Sequence, residues 1–189
     1  MTFKAHNYFL LFLYSTNKFN KTLLLLICMT YYDSIAEGYD ELHKEEQLNK
    51  IELIKQRISI KRNEKVLDVG CGHYYGDWNG IVTGLDPSKK LLKKAKEKGI
   101  ETINGKAENM SFDNDSFDWV ISLTAVQNFE DIEKGLNEMK RVGSKFVISF
   151  LKRSSKSTQI EKLVGEIFIV DDVLEEEKDI IYFCHKLSS

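Results

Sequence analysis

The segment VLDVGCGHYYGDWNGIVTGLDPS, residues 66–88, gathers the residue types that bind an adenosine-like ligand. An apolar run carrying Asp68 leads into Gly70, Cys71 and Gly72, a turn where two missing side chains let a ligand lie against the backbone. Asp86 follows 18 residues after Asp68, at the end of the next apolar run. That is close to the ~20 residues expected of an acid that takes both hydroxyls of a ribose. A plain strand-turn-strand with a solvent-facing acid is the competing reading, and the agreement of strand, GxG and distant acid in order and spacing favours the ribose site. The dinucleotide pattern GxGxxG fails, because its third glycine would fall at Tyr75 and Gly76 comes one place late. Only eight residues separate Gly72 from Ile81, too few for a helix of several turns. A pyrophosphate would lack both its glycine and its helix N-terminus. The sequence therefore points to an adenosine ligand without phosphates.

Positioning such a site requires a parallel sheet, and the pattern after Met29 alternates strand and helix as that demands. Ile51, Leu53, Ile54 and Ile58 predict a helix before the first strand, Val66 to Val69; Ile81 to Leu85 is the second. A lysine-rich helix follows, with Leu91, Leu92 and Ala95 on one face, a solvated opposite face and Gly99 at its end. A short strand near Ile100–Ile103, the polar loop GKAENMSFDNDS and a central strand, Asp118 to Leu123, come next. Phe129, Ile132, Leu136 and Met139 recur at helical spacing, with acids in the first turn, Lys140 and Arg141 in the last, and Asn128 as the expected N-cap. Lys145–Leu151 is a fifth strand. After a short helix over 158–164, the runs 167–174 and 180–185 are joined by a charged turn too short for a crossover, so they must be antiparallel.

The chain has 189 residues, 42% hydrophobic, enough for one stable core, and a net charge of −2 that gives no global attraction to nucleic acid or anionic membranes. Cys28, Cys71 and Cys184 are dispersed, with no CxxC and no histidine at ligand spacing, so neither a disulfide framework nor a metal site is expected and a reducing, cytoplasmic setting fits. His43 and His73 have no visible partner and are read as structural. Residues 1–28 read as an extension foreign to the fold, upstream of a start at Met29, with the folded domain spanning 29–189. Their apolar patches fall short of the ~20 residues that span a bilayer, so no membrane association is expected.

The segments YYDSIAEGYDELH, VLDVGCG, GLDPSKKLLKKA and GKAENMSFDNDSFDWVISLTAVQNFED, with the amphipathic helix after them, resemble the class I S-adenosylmethionine-dependent methyltransferases. The likeness is to the small branch similar to the ubiquinone and menaquinone C-methyltransferases. It implies an α/β, doubly wound, Rossmann-like mixed sheet of seven strands with the seventh antiparallel. It also implies that Asp68, Gly70, Cys71 and Gly72 wrap the methionine part of S-adenosylmethionine, with Asp86 at the ribose and Pro87 beside the adenine. Ala107 and Glu108 would flank the adenine and bond its amine, and Leu123 would lead into the acceptor-side loop. Tyr31 and Tyr39 match an aromatic lid, and Gln127 and Asn128 the acceptor side. The departure is HYYGDW, where Tyr74 stands at a family glycine and the usual helix is short or missing. The methyl acceptor is unknown, RNA, protein or small molecule; the open build suggests tRNA or a translation protein and a small zinc-ribbon activator on the third strand's edge. A non-catalytic cofactor-binding subunit and a nicotinamide-dependent oxidoreductase are the alternatives.

Overall fold

The computed structural model describes residues 39–74 and 76–186. Residues 1–28, Tyr31 and the side chains of Tyr39 and His43 lie outside that description. The element order is α1 (Tyr39–Lys55), β1 (Lys65–Val69), β2 (Ile81–Asp86), α2 (Lys89–Glu97), β3 (Glu101–Asn104), β4 (Phe117–Leu123), a 3-10 turn (Val126–Asn128), α3 (Ile132–Val142), β5 (Gly143–Leu151), α4 (Ser157–Ile167), β6 (Ile169–Glu175) and β7 (Asp179–His185).

The seven strands form one sheet in the order β3-β2-β1-β4-β5-β7-β6. β1 to β5 pair in parallel, and β7 runs antiparallel to both β5 and β6. The expected topology is thus present, and β3 is an edge strand. No helix among the described residues is long and apolar enough to cross a membrane.

Alternation along the central strands divides the core into two clusters. Leu67, Val120, Phe146 and Ile148 point to the face covered by α3 and α4. Val66, Trp119, Ile121 and Val147 point to the face covered by Ile51 and Ile54 of α1 and by Leu92 and Ala95 of α2. On this second face there is no helix between β1 and β2 among the described residues; Tyr74 and Trp78, each 6% exposed, fill the space instead. The Trp78 backbone N–H donates to the Tyr74 hydroxyl at 3.2 Å, so these two side chains form a buried aromatic plug. Tyr74 adopts φ 54°, a left-handed conformation that favours glycine.

One expectation needs correction. Asn128 does not cap α3; it belongs to the 3-10 turn, and Asp131 is the N-cap, accepting from Lys134 N at 3.1 Å. The extra turn moves the helix start three residues on, and Asp131 is as good a capping side chain as Asn128. At its other end α3 passes directly into β5. Gly143 permits this, since a Cβ there would lie 2.3 Å from Val120 Cγ2.

Candidate functional site

A cleft of about 150 Å³ opens at the carboxyl ends of β1, β2 and β4. This is where ligands bind in open parallel sheets. Its floor is the turn after β1. Gly70 N donates to Leu85 O at 2.8 Å, tying the turn to β2, and Gly70 and Gly72 have φ 72° and 50°. Asp86, 6% exposed, supports the turn from the side: Oδ2 accepts from Gly72 N at 3.0 Å and Oδ1 from Ser88 N at 2.8 Å. Ser88 in turn caps α2, accepting from Leu91 N. The carboxylate expected at a ribose is therefore built into the turn that the ligand would lie on.

Asp68 sits behind this surface and does not line the cleft. Burial pushes its carboxyl up to about 7; the nearby Trp78 indole opposes the rise and the Asp86 charge adds to it. The indole Nε1 is itself buried and makes no hydrogen bond of ordinary geometry. Cys71 is also away from the cleft, and burial, with Asp68 and Asp86 close by, raises its thiol well above the usual range. It is thus an inert packing group rather than a nucleophile.

The opposite wall comes from the GKAEN loop and the segment after β4. Ala107 and Glu108 line it; Glu108 Oε1 accepts from the backbone N–H of Glu130 at 2.6 Å and of Asp131 at 3.3 Å, the two residues just ahead of α3. Pro87, Leu123 and Asn128 also line the cleft, whereas Gln127 is held beside it, its Nε2 donating to Thr124 O at 2.7 Å. Sequence reasoning missed one feature of this wall. Lys106 and Glu130 pair at 3.0 Å on the wall, a contact between residues 24 apart with no local signal. Thr124 and Ala125 also line it, and their place depends on a buried cluster described below. Among the described residues no group of three or more His, Cys, Asp or Glu gathers to hold a metal ion.

Residues 67–148 match a family model described as a methyltransferase domain. The chain is similar to an uncharacterized protein of Methanocaldococcus jannaschii, 32% identical over 133 residues, covering 67% of this chain and 64% of that protein. It is also similar to a demethylmenaquinone methyltransferase of Staphylococcus epidermidis, 30% identical over 132 residues, 60% of this chain and 54% of that one. The chain thus spans between about half and two thirds of the length of these curated relatives. Among solved structures, a SAM dependent methyltransferase from Aquifex aeolicus shares the fold with a TM-score of 0.68 at 18% identity, over 80% of this chain and 96% of that one. A chain of the complex between the Haloferax volcanii Trm112 methyltransferase activator and a methyltransferase shares it at 0.69 and 15% identity, over 82% and 96%. With the sheet order, the glycine turn and the acid after β2 already in place, these matches lead to one conclusion: residues 67–148 carry a methyltransferase domain of the S-adenosylmethionine-dependent kind.

Proposed function

We propose that the chain is an enzyme that transfers the methyl group of S-adenosylmethionine directly to a nucleophile on an acceptor. The observation that carries this reading is Asp86, a buried carboxylate that supports the glycine turn while lining the cleft. The residues present suit the cofactor: Gly70 and Gly72 offer bare backbone to its amino-acid part, Asp86 accepts from its ribose, and Pro87 with the Ala107–Glu108 loop forms its adenine side. The bound cofactor supplies a methyl already activated on a positive sulfur. The chain's own contribution is to hold it in line with the acceptor and to exclude water. No helix follows β1 among the described residues, so the N-terminal amides that a nicotinamide dinucleotide's pyrophosphate needs are missing, which disfavours the oxidoreductase alternative.

The acceptor side of the reading places Leu123, Gln127 and Asn128 toward the substrate, with Tyr31 and Tyr39 covering the cofactor. The acceptor in this reading is large, such as tRNA or a translation protein, and completes the site itself. The four-residue edge strand β3 suits a small activator subunit that adds a strand there, and the neighbour from the Trm112 complex lends that idea support. The test is incubation of the full chain with tritiated S-adenosylmethionine and separated RNA, protein and lipid fractions. Label entering the RNA or protein fraction is expected, and rising when the activator is added. Absence of label in every fraction with the activator present overturns the reading.

A further inference from the structure

Lys50 of α1 and Asp179 at the start of β7 form an ion pair whose side chains are both 0% exposed. The partners are 129 residues apart and meet beside the cleft. Removing two charges from water is rarely repaid by their attraction, and apolar residues of the same size commonly serve stability as well or better. What the pair holds offers a reason for its presence. Lys50 Nζ donates to Thr124 Oγ1 at 2.6 Å, and Thr124 Oγ1 donates to Asp179 Oδ2 at 2.7 Å. Gln47 Nε2, also on α1, reaches the same hydroxyl at 3.4 Å. The hydroxyl has one proton and two lone pairs, and all are engaged. It is a fixed post, not a free acid or base.

Thr124 needs fixing because its backbone has φ 55°, a left-handed conformation disfavoured for a β-branched residue. Its amide is held as well, donating to Ser149 O at 3.0 Å and Ser149 Oγ at 2.9 Å. The conformation sets the next residue directly over the glycine turn: a Cβ on Gly70 would lie 2.5 Å from the Cβ of Ala125. Ala125 therefore packs directly on Gly70, and this contact closes the cleft where β1 and β4 end.

We propose that Lys50, Asp179 and Thr124 form a positioning unit that fixes Ala125 on the glycine turn and thereby orients the amino-acid part of the cofactor, and the methyl beside it, toward the acceptor. The inference rests on the methyltransferase reading above. The unit acts where β1 and β4 meet, so its effect is expected at the end of the ligand that lies on the glycine turn.

Two probes separate the ends: S-adenosylhomocysteine carries the amino-acid part and 5′-methylthioadenosine lacks it. Calorimetric titrations would use the full chain, the neutralised double variant Lys50→Met with Asp179→Asn, and Thr124→Gly, which tolerates the left-handed backbone but has no hydroxyl. The double variant avoids leaving one buried charge uncompensated, and a thermal melt confirms that each variant folds. The expected result is roughly tenfold weaker S-adenosylhomocysteine binding in both variants, with 5′-methylthioadenosine changed less than about twofold. Equal weakening of both ligands, or no change in either, overturns the proposal in a chain whose wild type binds both. A wild type that binds neither ligand overturns the underlying methyltransferase reading instead.

Discussion

The turns after β1 and β4 meet across the cleft at Gly70 and Ala125, and they are held by different means. The β1 turn is held by Asp86, which also lines the cleft, and by the aromatic plug of Tyr74 and Trp78 behind it. The β4 turn is held by groups outside the cleft: Lys50 and Asp179, the Ser149 hydroxyl, and Lys156, whose Nζ donates to Gln127 O at 2.7 Å. On one side, binding and support share a residue. On the other they are separate, so the wall can be disturbed without removing a ligand contact.

The largest stability effect belongs to the β1 side. Trp78→Ala empties the space that a helix would otherwise cover, and a loss of about 3–5 kcal/mol is expected in chemical denaturation. If Trp78 were merely a surface aromatic the loss would stay below about 1 kcal/mol, and the plug would not be a substitute for the helix.

Asp68 gives the same side a pH signature. Its folded pKa, about 7, lies above the ordinary 3.8, so between those values the native chain keeps a proton that the unfolded chain has lost. The native state is favoured most below the unfolded pKa, loses that advantage as pH rises toward 7, and is insensitive to this group above it. The slope is at most about 1.4 kcal/mol per pH unit. Comparing denaturation of the wild type and Asp68→Asn at pH 5 and pH 7 isolates it: the wild type alone should weaken across that interval, and parallel behaviour would place the Asp68 carboxyl in a wet environment.

The β4 side should respond more mildly to loss of a cap. Asp131→Ala removes the side chain that accepts from Lys134 N and should lower stability by about 1 kcal/mol. Asn128→Ala, by contrast, should leave stability within about 0.5 kcal/mol, since the capping role belongs to Asp131. Equal losses in the two would reinstate Asn128 as a cap.

The same division explains what was legible in the sequence. Gly70, Gly72 and Asp86 lie in one strand-turn-strand unit, so their spacing carried the site, and the short stretch from Gly72 to Ile81 showed that no helix fits there. The charged turn between β6 and β7 likewise required the antiparallel pair. Lys50 with Asp179 and Lys106 with Glu130 were invisible, because each pair is made by the folding of distant segments and no local pattern marks either partner. The cap of α3 was misassigned for a smaller reason: Asn128 and Asp131 are equally suited, and periodicity does not show that a 3-10 turn ends at Asn128 with Phe129 packed on Gly135 after it.

The measurement that bears most directly on the whole account is a calorimetric titration of S-adenosylhomocysteine into the full wild-type chain and into Asp86→Ala. Asp86 both supports the turn and accepts from the ribose in this account, so one-site binding by the wild type and a loss of at least about 100-fold in the variant are predicted. No binding by the wild type, or equal binding by the two proteins, would contradict it.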